Sequence, residues 1–150
     1  LWGEMAGLGW TGIIVPEQFG GAGLGYVGLG LVLEETGRKL VSSPLLSTAM
    51  IGASTLLLGG SEAQKTKWLA RIASGDLITA LAVDESAHHA PERISVTAAK
   101  SGSGYTLTGQ KRFVADGHIA GLLRRPPLIP AARRDPVLRA VALHSVGRSC

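Results

Sequence analysis

Apolar residues recur at helical spacing before Asp76 and gather into strand-length runs after it. Leu1 to about Gly9 reads as the last turns of a helix closing at Gly7 and Gly9. TGIIVPEQFGGAG follows, a β-branched, strand-like run stopped by Pro16 that passes into a glycine-rich loop. Tyr26 to Thr36 predicts a helix apolar on most sides and therefore buried, with Gly37 as C-cap and Arg38 and Lys39 matched to the helix dipole. Pro44 to Leu58 predicts the next helix, with Leu46, Ala49, Met50, Ala53 and Leu57 along one stripe and Gly59–Gly60 ending it. Ser61 and Gln64 form a capping box for another, whose apolar face is Trp68, Leu69, Ile72 and Ala73 and whose last residue precedes Gly75.

The period then changes. LITALAV (residues 77–83) is a continuous apolar run of the length of a buried strand. ISVTAA, YTLTG and KRFVA predict three short strands, the first two joined by SGSG as a hairpin loop. Helices followed by strands imply an α+β class or two domains, not alternating βαβ units. The organisation expected is a helical domain over 1–75, a β-domain over 76–120 and a separate tail over 121–150.

Composition narrows the options. At 45% hydrophobic and 17% charged residues the chain is globular. The net charge of +4 belongs to the tail: residues 121–150 carry six arginines against Asp135, whereas residues 1–120 carry nine basic and ten acidic residues. A basic arm for nucleic acid is one reading of that tail; a disordered or mistranslated end is the one favoured, because four of the seven prolines fall there with no sustained period. No nucleic-acid partner is expected. The uncharged stretch between Lys39 and Glu62 is broken by serines, threonines, glycines and Pro44, so it is read as a core helix and no membrane span is expected. Cys150 is the only cysteine, which excludes an internal disulfide and suits a reducing, cytoplasmic setting. The start at Leu1, inside an apolar segment and with no signal-peptide pattern, is read as a truncated gene.

Several chemical signals are weak. Gly23, Gly25 and Gly28 spell GxGxxG, but six residues separate them from Pro16 and no acidic residue stands about 20 positions on, so a Rossmann-type NAD-binding oxidoreductase is only an alternative. His88 and His89 are adjacent and point apart in extended chain, so a solvated loop is expected and no metal site. Glu34 and Glu35 fit solvent or a structural ion pair. Trp2, Trp10 and Trp68 fit core or interface positions.

Four stretches, in order, resemble the acyl-CoA dehydrogenase family. GLGWTGIIVPEQFGGAGLGY is similar to the family's G-hydrophobic-PEEYGGAG loop, LVLEETGR to its hydrophobic-EELGR helix end, and GSEAQKTKWLARIASGD to its GSEEQK…LASGE helix. GYTLTGQKRFVADGHIA is similar to GY.LNG.K.WIT…AD. The resemblance runs from about Leu1 to Ala120. It implies an all-α N-terminal domain followed by the start of a β-sandwich middle domain, with a helical C-terminal domain beyond. It further implies FAD as cofactor, an acyl-CoA substrate oxidised to its α,β-enoyl form, electron-transfer flavoprotein as acceptor, and homo- or hetero-oligomers. In the family a C-terminal-domain glutamate takes the α-proton while the β-hydrogen leaves as hydride, so no residue of this chain is named as catalytic and the 150 residues alone are expected to be inactive.

The resemblance also places the flavin. Its TEPxxGSD loop matches LAVDESAHHAPER, so Asp84 takes the Thr place, Glu85 keeps the Glu and Ser86 replaces Pro, with Val83 leading in. Its second flavin stretch matches Phe113, Val114 and Ala115, with alanine where a Thr or Ser is usual. Asp84 only accepts hydrogen bonds, and its charge opposes an anionic reduced flavin. These changes leave open a second possibility, a non-catalytic accessory subunit of a hetero-oligomeric acyl-CoA dehydrogenase. After Ala120 the resemblance stops, and the arginine-, proline- and alanine-rich tail is read as a frameshifted end foreign to the fold.

Overall fold

The capping box starts its helix where expected: Ser61 Oγ accepts from Gln64 N (3.3 Å), and Gln64 Oε1 accepts from Ser61 N (2.9 Å). The structure, a computed structural model, describes residues 1–101, 104–125 and 142–145. Its helices are α1 (Trp2–Gly7), α2 (Gly25–Arg38), α3 (Ala53–Gly59) and α4 (Glu62–Ala73). A π-helical segment (Leu46–Gly52) runs directly into α3, and 3₁₀ turns at Trp10–Gly12 and Glu17–Phe19 lie between α1 and α2.

The core joins these elements through Val15, Leu29, Leu45, Leu56, Leu69 and Ile72, all fully buried. Each such side chain contributes about 1.5–3 kcal/mol by leaving water. Trp2, Trp10 and Trp68 pack against its edge, as the sequence suggested. Trp2 Nε1 donates to Gly75 O (2.8 Å) and Thr11 Oγ1 to Ala73 O (2.6 Å), which fasten the stretch from Trp2 to Thr11 to the end of α4.

Several expectations require correction here. The GIIV run is not a strand: Ile13 has helical torsions (φ −60°, ψ −36°), and Ile13, Ile14 and Val15 enter the core from a turn. The glycines after it fold back over that turn, with Ala22 N donating to Gly12 O, Gly23 N to Val15 O and Leu24 N to Ile13 O. A Cβ at Gly21 would fall on the Val15 carbonyl, so the glycine serves a chain crossing. With no strand before the glycines and helices from Gly25 to Ala73, the Rossmann alternative is excluded.

Helix α2 continues past Gly37, and the left-handed residue that closes it is Leu40 (φ 49°). Val41 N donates to Thr36 O and Leu40 N to Gly37 O, the two bonds of a Schellman close. Nor is α2 buried all round. Leu29 is covered, but Val27 is 80% and Leu31 61% exposed, because no described element packs over that face.

The stripe expected on residues 44–58 is rotated. Leu45, Ala49, Ala53 and Leu56 face the core, while Leu46 and Met50 are exposed. Thr79 causes this. Its N–H donates to Thr48 Oγ1 (3.1 Å), its hydroxyl donates to Ser47 O (3.1 Å), and a Cβ at Gly52 would land on that hydroxyl. A side chain entering the helical ladder widens it to the π form and turns the following residues.

In the β region, β1 (Thr79–Leu81), β4 (Leu122–Arg125) and β5 (Ala142–Ser145) form one sheet in the order β1-β4-β5. β1 pairs with β4 in parallel, Thr79 opposite Leu122, and β4 with β5 antiparallel. β2 (Thr97–Ser101) and β3 (Gly104–Thr108) form the expected hairpin, with Ser101 opposite Gly104. The strand predicted over 77–83 shortens to the three residues that β4 pairs. KRFVA is not a strand at all: Phe113 (φ 52°) and Asp116 (φ 56°) break the extended chain. Most of the tail expectation falls on residues 126–141 and 146–150, which lie outside the described residues. Among the described residues, no helix is long and apolar enough to cross a membrane.

Candidate functional site

Two stretches 30 residues apart in sequence lie side by side just beyond β1. Arg112 N donates to Asp84 O (2.7 Å), and Lys111 Nζ donates to Val83 O (2.9 Å) and to Glu85 Oε1 (2.6 Å). The 83–86 and 113–115 segments named from sequence therefore flank one place. The 111–121 segment is anchored twice more: Ser47 Oγ donates to Asp116 Oδ2 (2.5 Å), and Gly121 N to Ile78 O (2.9 Å).

Glu85 organises the centre. One carboxylate oxygen accepts from Ser95 N (2.6 Å) and the Ser95 hydroxyl, the other from Val96 N (3.2 Å) and Lys111. The Lys111 side chain is 2% exposed and that of Glu85 10%. Burial pushes the Glu85 carboxyl up, but the Lys111 ammonium and the Ser95 and Val96 donors outweigh it and hold it at about 2. Glu85 is thus an acceptor committed to structure, not a proton carrier.

The other named residues are distributed around this centre. Asp84 Oδ1 meets His89 Nδ1 at 2.9 Å, an exposed contact that the solvated-loop reading of His88 and His89 did not anticipate. The Ser86 hydroxyl donates to His88 O (2.9 Å). Val114 packs against Ala80, Ala82 and Ala120. Phe113 is 75% exposed with positive φ, and Ala115 is exposed. The amides of Phe113, Val114 and Ala115 donate to no group among the described residues. Glu34 and Glu35 are far from the site in role: both pair with Arg38 on the exposed end of α2.

Sequence reading missed Lys111 and Ser95. The signal for Lys111 was the lysine of the family pattern GY.LNG.K.WIT, which falls on it, but nothing nearby announced its partner 26 residues away. Ser95 offered no signal.

The arrangement defines a class: an all-helical domain whose last helix delivers a short β region, with two loops converging beyond its first strand. The family model "Acyl-CoA dehydrogenase, N-terminal domain" matches residues 1–76. FadE12 of Mycobacterium tuberculosis, an acyl-CoA dehydrogenase, is 35% identical over 122 residues, 77% of this chain and 30% of its own length. The ChsE4–ChsE5 complex of M. tuberculosis aligns with a TM-score of 0.75 at 30% identity, covering 85% of this chain and 34% of that one. A glutaryl-CoA dehydrogenase of Mycobacterium smegmatis, solved with FADH2, aligns with a TM-score of 0.75 at 27% identity, over 85% and 34%. The chain belongs to the acyl-CoA dehydrogenase family. It spans about 30% of the length of the curated relatives it matches.

Proposed function

We propose that this chain supplies one wall of an FAD site in a protein that oxidises acyl-CoA thioesters to α,β-enoyl-CoA. The observation that carries the reading is the bond from Arg112 N to Asp84 O (2.7 Å), which joins the 83–86 loop to the chain one residue before the exposed Phe113. The solved relative with FADH2 supports the cofactor's identity.

The residues present fit a flavin in two respects. Phe113 presents an uncovered aromatic face, suited to lie against a planar ring. Three successive amides, at 113–115, are available as donors to ring carbonyls. Bound there, FAD would supply a hydride acceptor. The chain's own residues bind and orient the ring, exclude water on the Val114 side, and keep Asp84 in contact with His89 (2.9 Å). None of them is assigned the α-proton, which the family resemblance gives to a glutamate in another domain.

Electron-transfer flavoprotein as acceptor, an acyl-CoA substrate and an oligomeric state are what the family implies and belong to this proposal, as does a cytoplasmic location, which rests on the cysteine usage alone. The accessory-subunit reading draws on Asp84 and Ala115, where the family has hydroxyls. The ChsE4–ChsE5 relative is itself a complex of two differently named chains.

The test is to purify the natural-length protein carrying this chain and record its visible spectrum. Bound flavin that bleaches anaerobically on adding a saturated acyl-CoA supports the enzyme. Bound flavin that no acyl-CoA bleaches, or no flavin at all, removes it and leaves the accessory role. The 150 residues assayed alone should give no turnover with an artificial acceptor above the protein-free control.

A further inference from the structure

The flavin reading names groups that would touch the ring but not what holds them in register. We propose that Lys111 is a positioning residue: its buried ammonium, shared between Val83 O and the Glu85 carboxylate, locks the 83–85 and 111–115 stretches together and so fixes Phe113 and its neighbouring amides relative to Asp84. The proposal rests on the FAD reading above.

Three segments meet at this pair. Lys111 reaches Val83 O (2.9 Å) and Glu85 Oε1 (2.6 Å), and Glu85 reaches on to Ser95 and Val96 at the start of the β2–β3 hairpin. One residue after Lys111, the Arg112 amide closes on Asp84 O. One residue after that, Phe113 adopts φ 52°. A bulky side chain holds a left-handed backbone only where its surroundings over-determine it, and such strain gathers at ligand sites. Here the strained residue does not bury its ring; it turns it outward.

Stability alone is a poor reason for the pair. Two buried charges rarely outperform apolar side chains of the same volume, since each loses its hydration. What an ion pair with four further hydrogen-bond contacts adds is a single geometry. Apolar substitutes would fill the space and leave the loops free to slide, and sub-ångström placement is what a ring contact needs.

The experiment uses the natural-length protein as wild type, Lys111→Met and the double variant Lys111→Met/Glu85→Gln. FAD affinity, the visible circular dichroism of bound flavin, thermal midpoint, and amide exchange at Arg112 in the FAD-free form are measured. Lys111→Met should weaken FAD roughly tenfold or more, alter the flavin dichroism and speed exchange at Arg112. The double variant buries no unpaired charge, so its midpoint should recover toward wild type while its FAD affinity and dichroism stay as poor as in the single variant. If Lys111→Met does not fold, the double variant carries the comparison by itself. FAD affinity that recovers together with the midpoint would make Lys111 merely structural and overturn the proposal, as would wild-type FAD binding and dichroism in both variants. A wild type that binds no FAD refutes the flavin reading itself, and this proposal with it.

Discussion

Replacing Glu85 with glutamine keeps the side chain's shape and its acceptor oxygen but removes the charge that Lys111 meets at 2.6 Å. The cost can be worked from the carboxyl's acidity. A fall from 4.5 in the unfolded chain to about 2 in the fold amounts to about 3 kcal/mol of preferential stabilisation of the ionised form. The side chain is only 10% exposed, so solvent screening takes little from that figure. Because the folded value is depressed, this stability is fully present above the unfolded value of 4.5 and is lost as the pH falls toward 2. Glu85→Gln should therefore be about 3 kcal/mol less stable than wild type near neutrality, within the range for breaking a buried pair.

The pH profile is more discriminating than the magnitude. As wild-type Glu85 protonates it becomes a neutral acceptor beside Lys111, much like glutamine, so the two curves must converge in acid. The gap should narrow to about 1–1.5 kcal/mol near pH 3 and almost close near pH 2. Urea titrations followed by tryptophan fluorescence, from about pH 7 down to about pH 3, measure it directly, and taking the difference between proteins cancels every other carboxylate. A gap that stays constant over that interval, or a glutamine variant as stable as wild type at neutrality, would show that Glu85 is not held by Lys111 in this way.

Three further substitutions follow from single contacts. Asp84→Thr should strengthen FAD binding by the natural-length protein, because it removes a carboxylate and restores a donor; unchanged or weaker binding by fluorescence titration speaks against Asp84 facing the ring. Gly52→Ala places a methyl on Thr79 Oγ1 and should cost about 1–3 kcal/mol, much of which Thr79→Ala in the same chain should cancel, so additive losses in a double-mutant cycle would rule out the insertion as the cause of the π segment. Leu40→Gly relieves a left-handed leucine that is 92% exposed and should raise stability by up to about 1 kcal/mol; a fall in the urea midpoint would contradict the strained close.

Local rules read the helical domain well where local physics decides it. Ser61 and Gln64 cap α4 through their own side chains, and Gly75 (φ 78°) takes the left-handed place that ends it. Where a distant residue decides, the same rules fail. Thr79 bonds to Ser47 and Thr48 and reaches Gly52, and nothing near Gly52 announces that a strand side chain will enter there. α2 reads as buried because apolar residues surround it, yet period alone does not say how many neighbours arrive. The strand expected over KRFVA is overruled by Arg112 binding Asp84 and Asp116 accepting from Ser47 in the π segment, contacts of 28 and 69 positions' separation. The candidate loops were legible only through resemblance to a family; composition and spacing alone singled out neither Asp84 nor Phe113.

The departures from the family pattern gather in the two loops: Asp84 for a threonine, Ser86 for a proline, Ala87, His88, His89 and Ala90 in place of the GSD end, and Ala115 for a hydroxyl residue. The support beneath keeps its acid at Glu85 and its lysine at 111, joined at 2.6 Å. A wall whose flavin-binding purpose had been abandoned would have little use for two buried charges, since apolar residues would fill the same volume without a desolvation cost. Nor would it need Phe113 at φ 52° with its ring in solvent. Retained scaffolding under an altered contact surface favours the proposed flavin site over an abandoned one, and Asp84 there meets His89 at 2.9 Å. The two readings part over His89: its removal should weaken flavin binding if Asp84 faces the ring, because Asp84 then loses its hydrogen-bond partner. If His89→Ala leaves FAD affinity unchanged in a protein that does bind flavin, Asp84 points elsewhere and its replacement of threonine is incidental.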